Sequence, residues 1–176
     1  MITLSGYIVV LGFTKDSNKG NKFFDIKFKS GPDQFQNVRV MEAFKNSSVR
    51  QLLMQNKNKA VKLTVSKSGD TLFYNESRKA KIEQLKHPLP FTEEITITPL
   101  NNLPIGQVQF MKGSIMWKEE SRTTKNNNTF RNLAIRDGEG EAVITIWNSD
   151  IDMFDNGKWY LFTNIDHSVY DADEQV

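Results

Sequence analysis

The stretch FRNLAIRDGEGEAVITIW, from Phe130 to Trp147, predicts a β-hairpin. Apolar and polar residues alternate on both sides of the segment Asp137–Gly140, which has the Asp and Gly residues typical of tight turns. If these four residues close the turn, Phe130 lies opposite Trp147 at the open end of the hairpin. The same face then carries the pairs Asn132–Thr145, Ala134–Val143 and Arg136–Glu141.

The two faces of this hairpin differ in character. Side chains alternate between the faces of a strand, so Leu133, Ile135 and Ile144 share the opposite face, which is expected to point into a core. Phe130 and Trp147 are then left on the face that meets solvent or ligand. An exposed pair of aromatic rings indicates a surface for flat groups such as nucleic acid bases.

The composition excludes several classes of site. The 176 residues are 38% hydrophobic and 25% charged, and no apolar run is long enough to cross a bilayer. The N-terminus MITLSGYIVV lacks the features of a signal peptide, so we expect an intracellular protein without membrane association. The chain has no cysteine and two histidines, which excludes thiolate zinc sites and His-rich metal centres. We expect neither a metal nor a cofactor.

Charge is divided unevenly along the chain. Residues 1–90 contain 16 Lys and Arg against 7 Asp and Glu, a net charge of +9, whereas residues 91–176 contain 7 against 14, a net charge of −7. A basic half is typical of a region that binds a polyanion, and the acidic half is expected to have a different task. The simpler interpretation is an uneven surface charge.

An internal repeat also divides the chain into halves. Gly6–Gly31 aligns without a gap on Gly113–Gly138, an offset of 107 residues (113 minus 6), and this places Phe23 on Phe130. With one residue of slack, Met41 takes the place of Trp147. Phe23 with Met41 is therefore the first-half version of the open-face pair, with a methionine in place of the tryptophan.

Each half is predicted to form strands in the order of an oligonucleotide/oligosaccharide-binding (OB) barrel. Such a barrel has five strands, and here a helix is expected between the third and the fourth. The fold class is therefore all-β, with two tandem OB barrels. Strands of the first are expected at Thr3–Gly12, Lys22–Lys29, Phe35–Met41, Lys59–Ser66 and Thr71–Tyr74, with a helix capped by Ser47 or Ser48. Those of the second are expected at Gln107–Trp117, in the hairpin, and at Lys158–Ile165, with a helical turn near Ser149–Phe154.

The domain limits follow from the prolines. Residues 87–104, HPLPFTEEITITPLNNLP, contain four of the five prolines and are predicted to be a tether whose centre could still form a short strand. The first barrel then comprises residues 1–86 and the second residues 105–176. Asp166–Val176 is all that is left for a fifth strand, so the second barrel either lacks this strand or is completed from outside this chain.

The segment RNLAIRDGEGEAVITIWNSDIDMF, Arg131 to Phe154, resembles the second strand, third strand and following helix of the tandem barrels in the large subunit of replication protein A. The resemblance rests on the Asp137 and Gly140 turn, on Ile146-Trp147, and on the Asp150, Asp152 and Phe154 helix. It implies single-stranded DNA binding without catalysis, in nuclear replication, repair or recombination. It also implies that Trp147 stacks on a base and that Tyr170, in the loop after the fourth strand, is a second stacking residue.

The candidate nucleic-acid contacts combine aromatic and basic side chains. In the first barrel Lys27 and Lys29 alternate onto the face of Phe23, and Arg39 joins them with Asp25 as its expected partner. The full set in the first barrel is Lys15, Lys19, Lys22, Phe23, Lys27, Lys29, Arg39, Met41, Lys67, Phe73 and Tyr74. In the second barrel it is Arg122, Lys125, Phe130, Asn132, Arg136, Trp147 and Tyr170, whereas Trp117 and Trp159 are expected to be structural.

Two functional hypotheses remain open. No glycine-rich phosphate loop, catalytic triad or metal cluster is present in the sequence, so we expect no enzyme. The first hypothesis is binding of single-stranded DNA, with RNA not distinguished. The alternative is a scaffold that binds partner peptides, because the acidic half repels phosphates within a Debye length of about 8 Å. A combination is a third reading, in which the first barrel binds DNA and the second also holds a protein partner.

Overall fold

The structure, a computed structural model, describes residues 1–17, 19–42 and 48–168 and divides the chain into two compact units, unit 1 (Met1–Glu94) and unit 2 (Ile95–Val176). The elements of unit 1 are β1 (Ile2–Leu11), β2 (Lys15–Asp16), β3 (Lys22–Gly31), β4 (Gln34–Glu42), α1 (Val49–Gln55), β5 (Ala60–Ser68), β6 (Thr71–Tyr74), a 3-10 turn (Glu76–Arg78) and β7 (Lys81–Gln84). Those of unit 2 are a 3-10 turn (Leu100–Asn102), β8 (Gly106–Lys118), β9 (Arg122–Thr123), β10 (Thr129–Arg136), β11 (Glu141–Trp147), a 3-10 turn (Asn148–Asp150) and β12 (Trp159–His167).

Unit 1 is a closed barrel of five strands. The strands follow the order β1-β3-β4-β6-β5, and β5 pairs with β1 to close the barrel. The pairing of β4 with β6 is parallel and the other pairings are antiparallel. Phe24, Ile26 and Phe28 of β3 are core residues, each at most 1% exposed. The short β7, which the sequence did not predict, adds to β5.

The helix lies where the sequence predicts it, between the third and fourth barrel strands. It begins at Val49, and Ser48 occupies the N-cap position without a side-chain hydrogen bond to the helix. Val49 and Leu53 are one helical turn apart and are both fully buried in the barrel core. The apolar face of α1 therefore covers one end of the barrel. Ser47, the other predicted cap, lies outside the described residues.

Unit 2 is an open sheet in the part of the chain that the structure describes. Its strands follow the order β11-β10-β8-β12, with β9 paired to β10. Leu133, Ile135 and Ile144 face a core completed by Val108, Met111, Ile115, Leu100, Phe154 and Phe162. The predicted strands are present, but residues 169–176 lie outside the described ranges. Closure of unit 2 into a second barrel therefore stays a prediction.

The internal repeat is confirmed by the pairing of the strands. In unit 1 Tyr7 pairs with Lys29, and after a bulge Val10 pairs with Lys27. In unit 2 the residues 107 positions later repeat the pattern: Ser114 pairs with Arg136, and Trp117 with Ala134 after the corresponding bulge. The short edge strands also correspond, since Lys15 pairs with Phe23 and Arg122 pairs with Phe130. Equivalent positions in the two units can therefore be compared directly.

The predicted tether packs on the structure along both of its halves. Phe91 contacts Tyr7 edge to face in unit 1, with ring centroids 5.7 Å apart. In unit 2 the backbone amide of Thr98 donates to the carbonyl of Phe110 at 2.9 Å, and Leu100 is buried in the core. No strand forms between residues 94 and 98. Phe91 and Leu100 of this segment therefore pack against the sheets of unit 1 and unit 2 respectively.

Candidate nucleic-acid interface

The β10–β11 hairpin has the predicted register. Phe130 pairs with Trp147, Asn132 with Thr145 and Arg136 with Glu141. The rings of Phe130 and Trp147 have centroids 5.2 Å apart and planes inclined by 39°. Trp147 is 49% exposed, which confirms that it lies outside the core. Phe130 and Trp147 are called the stacking platform below, because the second ring supports the first and leaves indole surface available.

A polar network lies beside the stacking platform. Asn132 Nδ2 donates to Glu119 Oε2 at 3.0 Å, and Asn132 Oδ1 accepts from the Thr145 hydroxyl at 2.9 Å. Arg122 also donates to Glu119 Oε2, at 3.2 Å. Asn132 is therefore held in place by its neighbours. The Glu119 carboxylate, which the sequence did not single out, brings a negative charge to the platform and partly neutralises Arg122.

The loop that carries Lys125 is a defined turn. The amide of Thr124 donates to the carbonyl of Asn128 at 2.9 Å, and the amide of Asn128 donates to Thr124 Oγ1 at 3.2 Å. Lys125 is exposed at its tip, and Arg122 lies next to Phe130 across the β9–β10 pairing. Two cationic side chains therefore stand at the platform end of the sheet.

Two further tryptophans are exposed on this outer face, contrary to the structural role expected for them. Trp117 is 44% exposed and lies opposite Ala134, which shares the face of the platform. Trp159 is 54% exposed and lies opposite Ser114, next to Arg136. The bulge in β8 places Trp117 outward.

In unit 1 the equivalent pair is Phe23 and Met41, which are cross-strand partners as predicted. Arg39 Nε lies 3.0 Å from Asp25 Oδ1, which confirms the expected ion pair, and its guanidinium carbon lies 4.5 Å from the ring centroid of Phe23. One face of Phe23 is therefore covered by Arg39 through a cation–π contact. Phe73 lies next to Arg39 in the parallel β4–β6 pairing and is half-buried.

The predicted exposure of Lys27 and Lys29 is wrong. Both side chains are 5% exposed, although their alternation with Phe23 is as expected. Lys29 Nζ donates to the carbonyl oxygen of Glu94 at 2.6 Å, so the middle of the predicted tether covers it. Burial lowers the pKa of Lys27 from its usual value. Neither ammonium group is presented to a phosphate in this structure.

The predicted stacking role of Tyr74 is also incompatible with its position. Tyr74 is 1% exposed and belongs to the barrel core, because it alternates onto the same face as Leu72. Burial, followed by the negative charge of Glu76, raises the pKa of its hydroxyl to about 12. Phe73 is left as the outward-facing aromatic residue of β6.

The other predicted contacts are distributed around the two sheets. Lys19, Lys22 and Lys67 are exposed and Lys15 is half-buried. Tyr170 lies outside the described residues. Among residues 1–17, 19–42 and 48–168, no group of acidic or histidine side chains could hold a metal ion. Over the same ranges, none of the helices has the length and apolar character to span a membrane.

Comparison with solved structures places the fold. A murine DNA binding protein, solved with double-stranded DNA, is 11% identical; the match covers 97% of this chain and 87% of the murine chain with a TM-score of 0.52. A replication protein A heterotrimer bound to single-stranded DNA gives 14% identity and a TM-score of 0.47 over 86% of this chain. This chain spans 40% of the length of that one. The single-stranded DNA binding protein of Thermus aquaticus gives 11% identity and a TM-score of 0.28, covering 99% of this chain and 97% of that chain.

Of these three, the murine protein has a TM-score above 0.5, and the shared feature is the fold. Unit 1 has the strand order of an OB barrel. The fold class is therefore all-β, with one closed five-stranded barrel and a second sheet. No protein-family model matches this chain, and no curated protein does.

Proposed function

We propose that this chain binds single-stranded DNA, with the stacking platform of unit 2 as a base-binding surface. The observation that carries the proposal is the exposed Trp147 indole, supported by Phe130 at 5.2 Å. These residues lie on β10 and β11, the second and third strands of unit 2 when the two-residue β9 is not counted. These two strands line the ligand groove in OB folds. A base stacked on an aromatic side chain contributes roughly 1–3 kcal/mol to binding.

Unit 1 supplies most of the positive charge in this proposal. Lys19, Lys22 and Lys67 are exposed, and residues 1–90 carry 16 basic against 7 acidic side chains. Arg39 lies over the ring of Phe23 and is paired with Asp25, so a phosphate would compete with a carboxylate for the guanidinium. Phosphate contacts of this kind contribute affinity without reading sequence.

The finer assignment also belongs to the proposal. The likeness of Arg131–Phe154 to the large subunit of replication protein A supports a tandem arrangement of two OB domains, separated near residues 87–104. The same likeness supports a nuclear role in replication, repair or recombination, and a binding role instead of an enzymatic one. The structures of proteins that bind DNA support the ligand class.

The test is a titration of fluorescently labelled oligo-dT with the whole chain over a series of salt concentrations. We expect affinity to fall steeply as salt rises, because counterions are released from the phosphates. Trp147→Ala should weaken binding by about 5- to 150-fold, the equivalent of the roughly 1–3 kcal/mol of one stacked base. Trp159→Ala is the matched control, since it removes an equally exposed indole away from the platform.

Two outcomes would contradict the proposal. Absence of oligonucleotide binding even at low salt would favour the peptide-binding scaffold. Unchanged affinity of a folded Trp147→Ala variant, with a loss in Trp159→Ala, would move the base-binding surface to the other end of the sheet.

A further inference from the structure

The chain covers one part of the unit 1 surface with its own backbone. Phe91 packs edge to face on Tyr7, with ring planes at 81°, and the carbonyl of Glu94 accepts a hydrogen bond from Lys29 Nζ at 2.6 Å. Tyr7 and Lys29 are cross-strand partners on the outer face of β1 and β3. They are 7% and 5% exposed. An aromatic contact and a cation–carbonyl contact thus hold an extended segment against this face.

The equivalent surface of unit 2 has the same two kinds of group and is exposed. Arg136 occupies the register position of Lys29, and Ser114 occupies that of Tyr7. The aromatic ring is displaced by one strand, because Trp159 pairs with Ser114 where the small Ala60 pairs with Tyr7. Trp159, Ser114 and Arg136 are called the peptide face below.

The shape and charge of the peptide face fit an extended acidic segment. With Ile115, Met116 and Gly157 it lines an open depression of about 480 Å³. Arg136 is exposed, and Lys112 Nζ lies 5.6 Å from the centroid of the Trp159 ring. Both cations can attract carboxylates, whereas Trp159, which is 54% exposed, offers an aromatic surface.

We propose that the peptide face binds an extended segment of a partner protein that contains an aromatic residue followed by acidic residues. The segment would place its aromatic side chain on Trp159 and a carbonyl or carboxylate on Arg136. Residues Phe91–Glu94 make an aromatic contact and a backbone-carbonyl contact within unit 1 and are the template for those two contacts. The acidic residues of the segment are inferred from the cations Arg136 and Lys112. The partner segment is not expected to add to the sheet as a strand, because side chains of β1 and β3 hold the corresponding segment of unit 1.

The peptide face is separate from the stacking platform. Phe130 and Arg136 are six residues apart on one strand, a distance of roughly 20 Å at about 3.3 Å per residue. A peptide on Arg136 and Trp159 therefore leaves Phe130 and Trp147 free for another ligand. This inference does not depend on DNA binding.

The experiment uses the whole chain and a labelled synthetic peptide with the sequence HPLPFTEE, residues 87–94. We expect saturable binding by fluorescence anisotropy, weakened by about tenfold or more in Trp159→Ala and in Arg136→Glu, since truncation of a central Trp or Arg contact has effects of this size. Trp159→Phe should keep most of the affinity. Trp147→Ala should bind the peptide like the wild type, and a peptide with Phe91→Ala should bind far more weakly.

Three results would overturn the inference. One is the absence of saturable binding up to millimolar peptide by a chain whose circular dichroism shows that it is folded. Another is equal affinity for the wild-type and Phe91→Ala peptides, which would mean nonspecific adhesion. The last is complete competition by oligo-dT together with loss of oligo-dT affinity in Trp159→Ala, which would make this surface part of a nucleic-acid path.

Discussion

At the scale of single residues, two equivalent glycines lie at the same place in the two units under different constraints. A Cβ atom on Gly6 would lie 2.0 Å from the carbonyl oxygen of Lys29 and 2.7 Å from the ring of Phe28. A Cβ atom on Gly113 would lie 3.2 Å from its nearest neighbour, the side chain of Ile135. The first contact is with backbone, which cannot move far enough without breaking the β1–β3 pairing. At Gly113 the Ile135 Cβ atom and the carbonyl oxygen of Arg136, at 3.3 Å, need to move by only a few tenths of an ångström.

We therefore predict that Gly6→Ala destabilises unit 1 much more than Gly113→Ala destabilises unit 2. Overpacking as severe as that at Gly6 costs about 3 kcal/mol or more, whereas the small shift needed at Gly113 costs about 1 kcal/mol. Chemical denaturation of the two variants, followed by circular dichroism, measures the difference. Equal losses of stability would show that the close approach at Gly6 is relieved by a shift of the strands.

Residue positions were predictable where alternation alone decides them. Trp147 and Phe130 lie outward as the hairpin pattern predicts. Lys29 also alternates outward, but a segment more than sixty residues later covers it, and no local pattern contains that information. Trp117 was misjudged because the extra residue of a bulge reverses the faces of β8.

At the scale of the element, the turn of the β10–β11 hairpin is held by one carboxylate. Asp137 Oδ1 accepts from the amides of Glu139 and Gly140, both at 2.9 Å, and Oδ2 accepts from the amide of Leu100 at 2.7 Å. The Leu100 bond is the largest cause of a lowered Asp137 pKa, and the two turn amides lower it further. The carboxylate thus connects the turn to the segment that places Leu100 in the core.

The sign of the lowered pKa gives a prediction for acid stability. The contribution of Asp137 to the free energy of unfolding is fully present above its unfolded pKa of about 4. It is lost as the pH falls through the lower pKa of the folded state. Asp137→Asn should therefore be less stable than the wild type at neutral pH, and the difference should shrink as the solution becomes acidic. Thermal unfolding as a function of pH, with amide exchange of Leu100, measures it.

If the difference in stability between the wild type and Asp137→Asn stayed constant down to strong acid, the role assigned to the Asp137 carboxylate would be contradicted. Asp155→Asn is a suitable control, because that carboxylate is ion-paired with Lys158, whereas the amides of Leu100 and of the turn donate to Asp137.

Elements were predictable where they are long or, like the four-residue β6, lie beside a turn signal in the sequence. The hairpins and the helix follow from alternation over seven or more residues and from an apolar helical face. The two-residue strands β2 and β9 and the four-residue β7 have no such pattern, because their place in the sheet is set by the neighbour that they pair with.

At the scale of the whole molecule, the uneven charge gives a test of where phosphates are bound. Lys19, Lys22 and Lys67 are exposed in unit 1, whereas Lys79, Lys81 and Lys86 are equally exposed on or near β7, which adjoins neither β3 nor β4. The slope of the logarithm of oligo-dT affinity against the logarithm of salt concentration should become shallower when the first three are replaced by Ala. The change should be up to about 2, because each lost phosphate contact accounts for about 0.7. Replacing the second three should leave that slope nearly unchanged.

Equal effects of the two triple variants would show that the chain attracts DNA by net charge without a localised path. If neither triple variant changed the salt dependence, unit 1 would be excluded as the source of the phosphate contacts. Lys27 and Lys29 are unsuitable for this comparison, because their burial makes any substitution a test of stability.

The two-unit organisation could be read from the repeat, since the offset of 107 residues recurs in the strand register, the bulge and the edge pairings. The surfaces that distinguish the two units could not be predicted from the repeat. They depend on which face the chain covers with its own later segments, and that is decided by packing between residues far apart in sequence.

The placement of the indoles has a spectroscopic consequence. All three tryptophans of the chain, Trp117, Trp147 and Trp159, belong to unit 2, whereas Tyr7 and Tyr74 are in unit 1. Excitation at the red edge of indole absorption therefore reports on unit 2 alone, without a label. Trp147 and Trp159 lie at different places on the sheet. A variant that retains only one of these two tryptophans therefore distinguishes quenching by a ligand at one surface from quenching at the other.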